Sequence, residues 1–129
     1  MREITTHKLN GLNEALQVGT IDEPGSGGAH HEYLVKMPDN TTLHQYAIDD
    51  GKSLLIPFQK GPIAENGVNG ISNELLLAVV IDRLQGFQSG EFKCRENAIA
   101  LTHLEDAMHW LQHRTRQRLA RGVEGTSKV

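Results

Sequence analysis

The chain contains only one cysteine, Cys94, so an internal disulfide framework is excluded and a reducing compartment is favoured. It also lacks a long apolar run, because the longest, Leu75–Ile81, is far shorter than the ~20 residues that a membrane helix needs. Polar residues follow Met1-Arg2-Glu3, so the sequence shows no hydrophobic region of a signal peptide. We therefore expect a cytosolic protein without a membrane partner.

Excess charge is small, and its distribution is uneven. The net charge of −3 at pH 7 argues against a surface that binds nucleic acid over its whole extent. Between Arg114 and Lys128, however, four arginines and one lysine face a single acid, Glu124. A helix dipole favours cations at the C-terminal end, which accounts for one or two of these arginines. The others are candidates for binding an anion.

The first half of the chain reads as a small antiparallel sheet. At 129 residues we expect one domain, 1–129, whose residues 1–60 are rich in β-structure. A helical turn is expected at Asn13–Leu16, and the breakers of Pro24–Gly28 predict a loop. Alternating and apolar patterns predict strands, and Asp, Asn and Gly predict turns. The strands are Gln17–Asp22, His31–Met37, Thr42–Ile48 and Ser53–Gln59, and the turns are Pro38–Thr41 and Asp49–Gly51.

The second half reads as a loop over 61–70, a helical hairpin over 71–122 and a tail over 123–129, of which Glu124–Val129 is expected to be frayed. The first helix is expected to begin after Ser72, with Asn73 as the rival cap, and to end near Gly90. The second begins between Cys94 and Asn97 and runs to about Arg121, with an apolar stripe at three-four spacing. That stripe comprises Ala98, Leu101, Leu104 or Glu105, Met108, Leu111 and Thr115. The fold class is α+β.

Three features that resemble catalytic or metal sites are weak. The loop Gly25–Gly28 lacks the lysine and hydroxyl residue of a phosphate-binding loop. Glu105, His109 and His113 share a helix face that could hold a metal, but no fourth ligand suggests itself. Cys94 has no convincing His and Asn or Asp partners for nucleophilic catalysis. We therefore predict no cofactor, no metal and no catalytic residue.

The stronger candidates are Phe87, Asn97, Arg114 and Arg118, with Arg121 as a further cation. Phe87 precedes a glycine-containing turn, and its alternative role is to close the hairpin by packing on Phe92. Asn97 lies in the first turn of the second helix, where capping is the alternative. The arginines suit bidentate phosphate binding.

Asn97 and Arg114 are separated by ~26 Å along one helix, so a single chain cannot grip a small ligand with both. The second helix, ~40 Å long, also extends past the first. An antiparallel partner chain would solve both problems, because it brings the arginines of one copy towards Phe87 and Asn97 of the other. We therefore expect a dimer or a higher oligomer.

These residues resemble a known family. Gly61-Pro-Ile, Asn73-Glu74, Asp82-Arg83-Leu84, Phe87-Gln88 and Arg121–Gly125 are similar to the phage Thoeris anti-defence proteins of the first-described type. Their helical hairpin is shared with a phage anti-CBASS cyclic-dinucleotide sponge. The resemblance covers residues 61–125.

The resemblance implies a protein that acts in the cytoplasm of the infected bacterial host. It would sequester a cyclic ADP-ribose isomer, and also cyclic di- or trinucleotides, without degrading them. It further implies a homodimer or a hexamer, with the ligand contacts falling on Phe87, Asn97, Arg114 and Arg118.

Two alternatives remain from other classes. One is a regulator that binds DNA or RNA through Arg114–Arg121, although overall acidity argues against a nucleic-acid polymer as partner. The other is a nucleotide hydrolase, for which the sequence shows no convincing acid–base pair.

Overall fold

The computed structural model describes residues 2–38 and 52–129. These form two compact units. The first comprises Met1–Gly61 with Val68–Ile71, and the second comprises Pro62–Gly67 with Ser72–Val129. In the described helices, no segment is long and apolar enough to cross a membrane.

The first unit contains a four-stranded antiparallel meander in the order β1-β2-β3-β4. Its elements are β1 (Arg2–Ile4), helix α1 (Gly11–Ala15), β2 (Gln17–Thr20), β3 (Glu32–Lys36) and β4 (Ser53–Pro57). The predicted sheet is confirmed. β1 was not predicted, because three residues with two charged side chains carry no period, and it forms through backbone pairing with β2. The predicted strand Thr42–Ile48 and most of its two flanking turns lie outside the described residues.

A polar junction joins the loop after β2 to β3. The Asp22 carboxylate accepts the backbone N–H of His31 at 2.9 Å, and His30 Nδ1 lies 2.7 Å from the Asp22 carbonyl oxygen. Burial acts to raise the pKa of Asp22, but hydrogen bonds from His31, Glu32 and His30 lower it, and the net pKa is below the usual value. A hydrogen bond from Lys60 to Glu32, 2.9 Å long, raises the pKa of Lys60.

The Asn69 side chain bonds the backbone of Lys60, and so joins the two ends of the segment between the sheet and the hairpin. Its side-chain oxygen accepts the Lys60 N–H at 2.8 Å, and its amide donates to the Lys60 carbonyl at 2.9 Å. The predicted loop over 61–70 contains a helical turn, α2 (Ile63–Asn66). Pro62 precedes that turn and Gly67, with a φ of 69°, ends it. Proline and glycine here mark the two ends of a short helix within the predicted loop.

The second unit contains the predicted hairpin, formed by α3 (Asn73–Gln88) and α4 (Arg95–Ala120). The Ser72 hydroxyl caps α3 by accepting the Leu75 N–H at 3.1 Å, so Ser72 rather than Asn73 is the cap. α4 ends at Ala120, and Gly122, with a φ of 72°, allows the Val123 N–H to turn back to the Arg118 carbonyl.

The two helices face each other along seams of residues that recur every three and four positions. Their side chains are partly covered, and that of Arg118 is buried. On α3 the seam comprises Glu74, Leu77, Ile81, Leu84 and Gln88, and on α4 it comprises Asn97, Leu101, Leu104 and Met108. The same face of α4 continues through Leu111, Thr115 and Arg118, in the part of the helix that extends past α3. The predicted stripe on α4 is confirmed from Leu101 to Thr115, but it begins at Asn97 because Ala98 is exposed.

Within residues 2–38 and 52–129, no hydrophobic side chain is fully buried. Two helices enclose a single seam, and apolar residues on their other faces have nothing to pack on within the hairpin. These exposed positions include Leu75, Val79, Val80, Ile99, Trp110 and Leu119.

The tail after Gly122 is not frayed, contrary to the prediction. It folds back on the end of α4 because Arg118 donates hydrogen bonds to the carbonyls of Val123, Thr126 and Lys128 at 2.7–3.1 Å. The Gly125 carbonyl in addition accepts the N–H of Ala64 in α2 at 2.9 Å. Composition alone shows a short polar tail, whereas its hydrogen-bond partners lie on other elements.

Candidate functional site

Phe87 lies near the end of α3 with 43% of its surface exposed. The guanidinium carbon of Arg83, one helical turn earlier, lies 5.6 Å from the centre of its ring. This is a cation–π contact, which orients the ring and places a positive charge beside it. Sequence reasoning missed the role of Arg83, although its i, i+4 spacing from Phe87 was the available signal.

Gln88, rather than Phe87, closes the hairpin. Its side-chain amide donates to the Cys94 carbonyl at 3.1 Å, and its oxygen accepts the Cys94 N–H at 2.9 Å. Phe92 is 76% exposed, and in the described part of the chain it makes no ring contact with Phe87. The alternative role for Phe87, packing on Phe92, is therefore not what the structure contains.

The Asn97 side chain does not cap α4, which was its alternative role. The cap of α4 is Cys94, whose sulfur accepts the Asn97 backbone N–H at 3.4 Å. The Asn97 side chain is half-buried at the start of the seam, and its amide has no hydrogen-bond partner among the described residues. Phe87 and Asn97 thus flank the turn with one ring and one amide left available.

The arginines meet at the other end of the hairpin. A shallow groove of about 490 Å³ is lined by Arg114, Gln117, Arg118, Arg121 and Val129. Arg114 is exposed, and its guanidinium has no hydrogen bond or ion pair within the described parts of the chain. Arg121 is also exposed and donates one hydrogen bond to the Val129 carbonyl at 2.9 Å.

Arg118 differs from its neighbours because it is only 7% exposed. Its guanidinium forms an ion pair with Glu124 at 3.2 Å as well as its three hydrogen bonds to tail carbonyls. A buried guanidinium requires such partners, since an unpaired one costs several kcal/mol. Arg118 therefore anchors the tail, a role that its spacing from Arg114 and Arg121 could not reveal.

The predicted site residues form two groups within one chain. Arg114, Arg118 and Arg121 share the groove, whereas Phe87 and Asn97 lie by the turn between the helices. Along α4, Asn97 and Arg114 are ~26 Å apart. One hairpin does not bring the ring, the amide and the arginines to the same ligand.

The remaining candidates do not form a site. In the described ranges, no cluster of three His, Cys, Asp or Glu side chains is placed to hold a metal ion. His109 and His113 instead stack on each other, with ring centres 6.3 Å apart, and both pack against Trp110.

Two comparisons with known proteins gave matches. Residues 51–116, just over half of the chain, match the family model described as "Acb2/Tad1, hairpin domain". A curated relative, "Thoeris anti-defense 1" of Bacillus phage SBSphiJ7, is 58% identical over 76 residues, which cover 59% of this chain and 54% of the relative. The chain thus spans about half the length of the relative that it matches. Both findings confirm the predicted resemblance.

Proposed function

The chain belongs to the family of Acb2/Tad1 hairpin domains, and on this premise we propose that it sequesters a cyclic ADP-ribose isomer without degrading it. Withholding this messenger would block Thoeris immunity in the cytoplasm of the infected bacterium. The name of the relative, Thoeris anti-defense 1, supports the pathway. Cyclic di- and trinucleotides are further ligands of the same chemical class.

Phe87 and Asn97 supply the contacts for the base in this proposal. A half-exposed ring suits stacking on adenine, which contributes ~1–3 kcal/mol per base. The unpartnered amide of Asn97 suits the N6 and N7 edge of adenine, to which asparagine can form two hydrogen bonds. The charge of Arg83 beside Phe87 adds attraction for an anionic ligand.

The groove at the end of α4 supplies the contacts for the phosphates. Arg114 has free donors, and Arg121 has donors beyond the one that it gives to Val129. Arg118 lines the same groove, where it adds positive charge while it holds the tail. Guanidinium groups match phosphate oxygens with two parallel hydrogen bonds, which an ammonium group cannot reproduce.

Complete sites require a second copy of the chain. The observation that carries the proposal is that Phe87 and Asn97 at one end of the hairpin, and Arg114 at the other end, have side chains without hydrogen-bond partners among the described residues. An antiparallel partner would bring the arginines of one copy to Phe87 and Asn97 of the other. The exposed apolar residues on the outer faces of the hairpin provide surface for such a contact.

Sequestration suits these side chains better than hydrolysis does. A phenyl ring, a carboxamide and guanidinium groups bind a nucleotide but do not accept the proton of an attacking water at neutral pH. The ligand is therefore expected to leave the protein intact.

The test is a capture-and-release experiment. The protein is incubated with equimolar messenger, the free ligand is measured after ultrafiltration, and the bound fraction is released by heat and identified by mass spectrometry. We expect depletion of the free messenger and recovery of the unchanged compound. Phe92→Ala serves as a matched control, because this exposed ring near the same turn has no assigned ligand contact.

The other outcomes identify the alternatives. A released product of different mass would mean an enzyme. No depletion, together with binding of a duplex DNA probe that Arg114→Ala abolishes, would mean a nucleic-acid regulator. Either result overturns the sequestration proposal.

A further inference from the structure

Trp110, the only tryptophan of the chain, lies on the outer face of α4, opposite the seam. Its side chain is 60% exposed, whereas tryptophan side chains are on average largely buried. The role proposed for Phe87, Asn97 and the arginine groove leaves this ring without a function. An exposed, ordered aromatic ring is a recurrent element of ligand sites.

Two histidines orient the indole. The ring centres of His109 and His113 lie 5.4 and 5.5 Å from that of Trp110, at interplanar angles of 78° and 76°. Both histidines lie on the same side of Trp110 around the helix, so they support one flank of the ring and leave the other flank open. A ring held in this way loses little conformational entropy when a second ring stacks on it.

The neighbours of Trp110 along the helix are an acid on one side and a base on the other. Asp106 precedes it by four residues and Arg114 follows it by four, so the three side chains share one face at intervals of ~6 Å. Asp106 and Arg114 are exposed, and neither forms an ion pair or a side-chain hydrogen bond within the described parts of the chain. The face therefore offers an acceptor, an aromatic surface and a cationic fork in a row.

We propose that Asp106, Trp110 and Arg114 form a subsite for a phosphorylated nucleoside whose base carries an exocyclic amine. The base stacks on Trp110, its amine donates to the Asp106 carboxylate, and its phosphate accepts hydrogen bonds from Arg114. A carboxylate accepts from an amine and rejects a carbonyl, so the subsite selects adenine or cytosine over hypoxanthine or uracil. The base rests on Trp110, so this contact is additional to the one at Phe87.

The charges favour a nucleotide over an apolar surface as the occupant. An apolar surface packed on Trp110 would remove Asp106 and Arg114 from water and leave each charge unpaired. An amine and a phosphate, in contrast, satisfy both groups. An antiparallel second copy would also satisfy them, because Asp106 would face the partner's Arg114, and the mass measurement below distinguishes that contact from the subsite.

The subsite rests on the proposed function only for the ligand class and for its use of Arg114. Because Trp110 is the sole tryptophan, its fluorescence reports on this position alone. The test titrates the full chain with ADP, inosine diphosphate and ribose 5-phosphate, and follows tryptophan emission. The first two differ at the exocyclic amine, and the third lacks the base.

We expect ADP to quench the emission saturably, inosine diphosphate to require at least about five-fold higher concentration, and ribose 5-phosphate to have no effect. Asp106→Asn should abolish or reverse the preference for ADP, because an amide can donate to the carbonyl of hypoxanthine. For Trp110→Leu, equilibrium dialysis with labelled ADP should show about five- to a hundred-fold weaker binding, the range expected for one stacked base. Gln112→Ala, an exposed position on α4 with no assigned contact, is the control and should bind like the wild type.

Mass measurement by light scattering separates this subsite from a contact between copies. If Trp110→Leu lowers the oligomeric mass while ADP leaves the wild-type emission unchanged, the face is a subunit contact and the proposal is wrong. Equal quenching by ADP and inosine diphosphate overturns the role of Asp106.

The same data keep this proposal apart from the sequestration proposal. If ADP quenches Trp110 but the cyclic messenger is not captured, the subsite stands and sequestration fails. If the messenger is captured equally by Trp110→Leu and Gln112→Ala, with no quenching by ADP, sequestration stands and the subsite fails.

Discussion

At the residue scale, four arginines near the end of α4 have the same charge and different environments. Arg114 is exposed with free donors, whereas Arg118 is buried with its donors occupied by the tail. The difference decides which arginine can donate hydrogen bonds to a ligand without disrupting the fold. Substitutions at the two positions should therefore have different effects on binding and on stability.

Arg118→Ala should release the tail and destabilise the second unit by about 1–3 kcal/mol, because several buried hydrogen bonds to carbonyls are lost together. Hydrogen–deuterium exchange should show faster exchange of the backbone amides of 123–129. Arg116→Ala, an exposed arginine on the same helix, is the control. Unchanged exchange in Arg118→Ala would mean that the tail is held by other contacts.

Phe87→Ala and Asn97→Ala should each weaken messenger binding by about 1–3 kcal/mol, the range for one stacked base or one bidentate amide pair, without unfolding the chain. Neither side chain closes the turn or caps α4, because Gln88 and Cys94 do so. Calorimetric titration measures the binding, and thermal unfolding checks the fold. Wild-type affinity in both variants would remove this end of the hairpin from the site.

At the element scale, the hairpin consists of helices of unequal length. α3 has 16 residues and α4 has 26, so about ten residues of α4 extend past its partner. This extension carries the arginine groove and is stabilised by the tail through Arg118. The tail therefore takes the place that a longer α3 would otherwise fill.

Alanine substitutions at two glycines, Gly70 and Gly86, should change the thermal midpoint in opposite directions. A Cβ on Gly70 would lie 2.6 Å from the Gln59 nitrogen and closer still to the Phe58 carbonyl, at the parallel bridge between Phe58 and Ile71. A Cβ on Gly86, inside α3, meets nothing within 4 Å. Gly70→Ala should thus lower the thermal midpoint, since backbone cannot yield easily.

Gly86→Ala should raise the midpoint, because alanine is favoured over glycine in a helix by ~1 kcal/mol. Differential scanning calorimetry of both variants measures the two shifts. A Gly86→Ala protein that is less stable than the wild type would indicate that another chain packs against this position.

At the scale of the whole molecule, binding and assembly are expected to be inseparable. A mixture of Phe87→Ala and Arg114→Ala chains tests this directly. Each homodimer of these variants has two damaged sites, whereas a heterodimer gathers both lesions into one site and leaves the other intact. Co-assembly should therefore restore up to one working site per heterodimer, as measured by titration against the messenger.

Native mass spectrometry confirms that the heterodimer has formed. Mixed Phe87→Ala and Asn97→Ala chains are the control, because both lesions lie at the same end of the hairpin and cannot complement each other. A heterodimer of Phe87→Ala and Arg114→Ala without gain in binding would contradict the shared site.

Much of the fold followed from local signals in the sequence. Ser72, Gly122 and the three-four spacing from Leu101 to Thr115 predicted the hairpin, because caps and periodicity act within a few residues of the backbone that they stabilise. The alternation at His31–Met37 predicted β3 for the same reason. Phe87, Asn97 and Arg114 were singled out by residue type and position alone, and their ligand contacts stay predictions.

The tertiary structure decided which side chains are free. Gln88 and Cys94 close the turn, which leaves Phe87 and Asn97 available, and the returning tail occupies Arg118 but not Arg114. These assignments depend on carbonyls that other segments bring to within 3.1 Å, and helical spacing contains no information about them. Sequence therefore determined which residues could bind a nucleotide, and packing determined which of them already have partners.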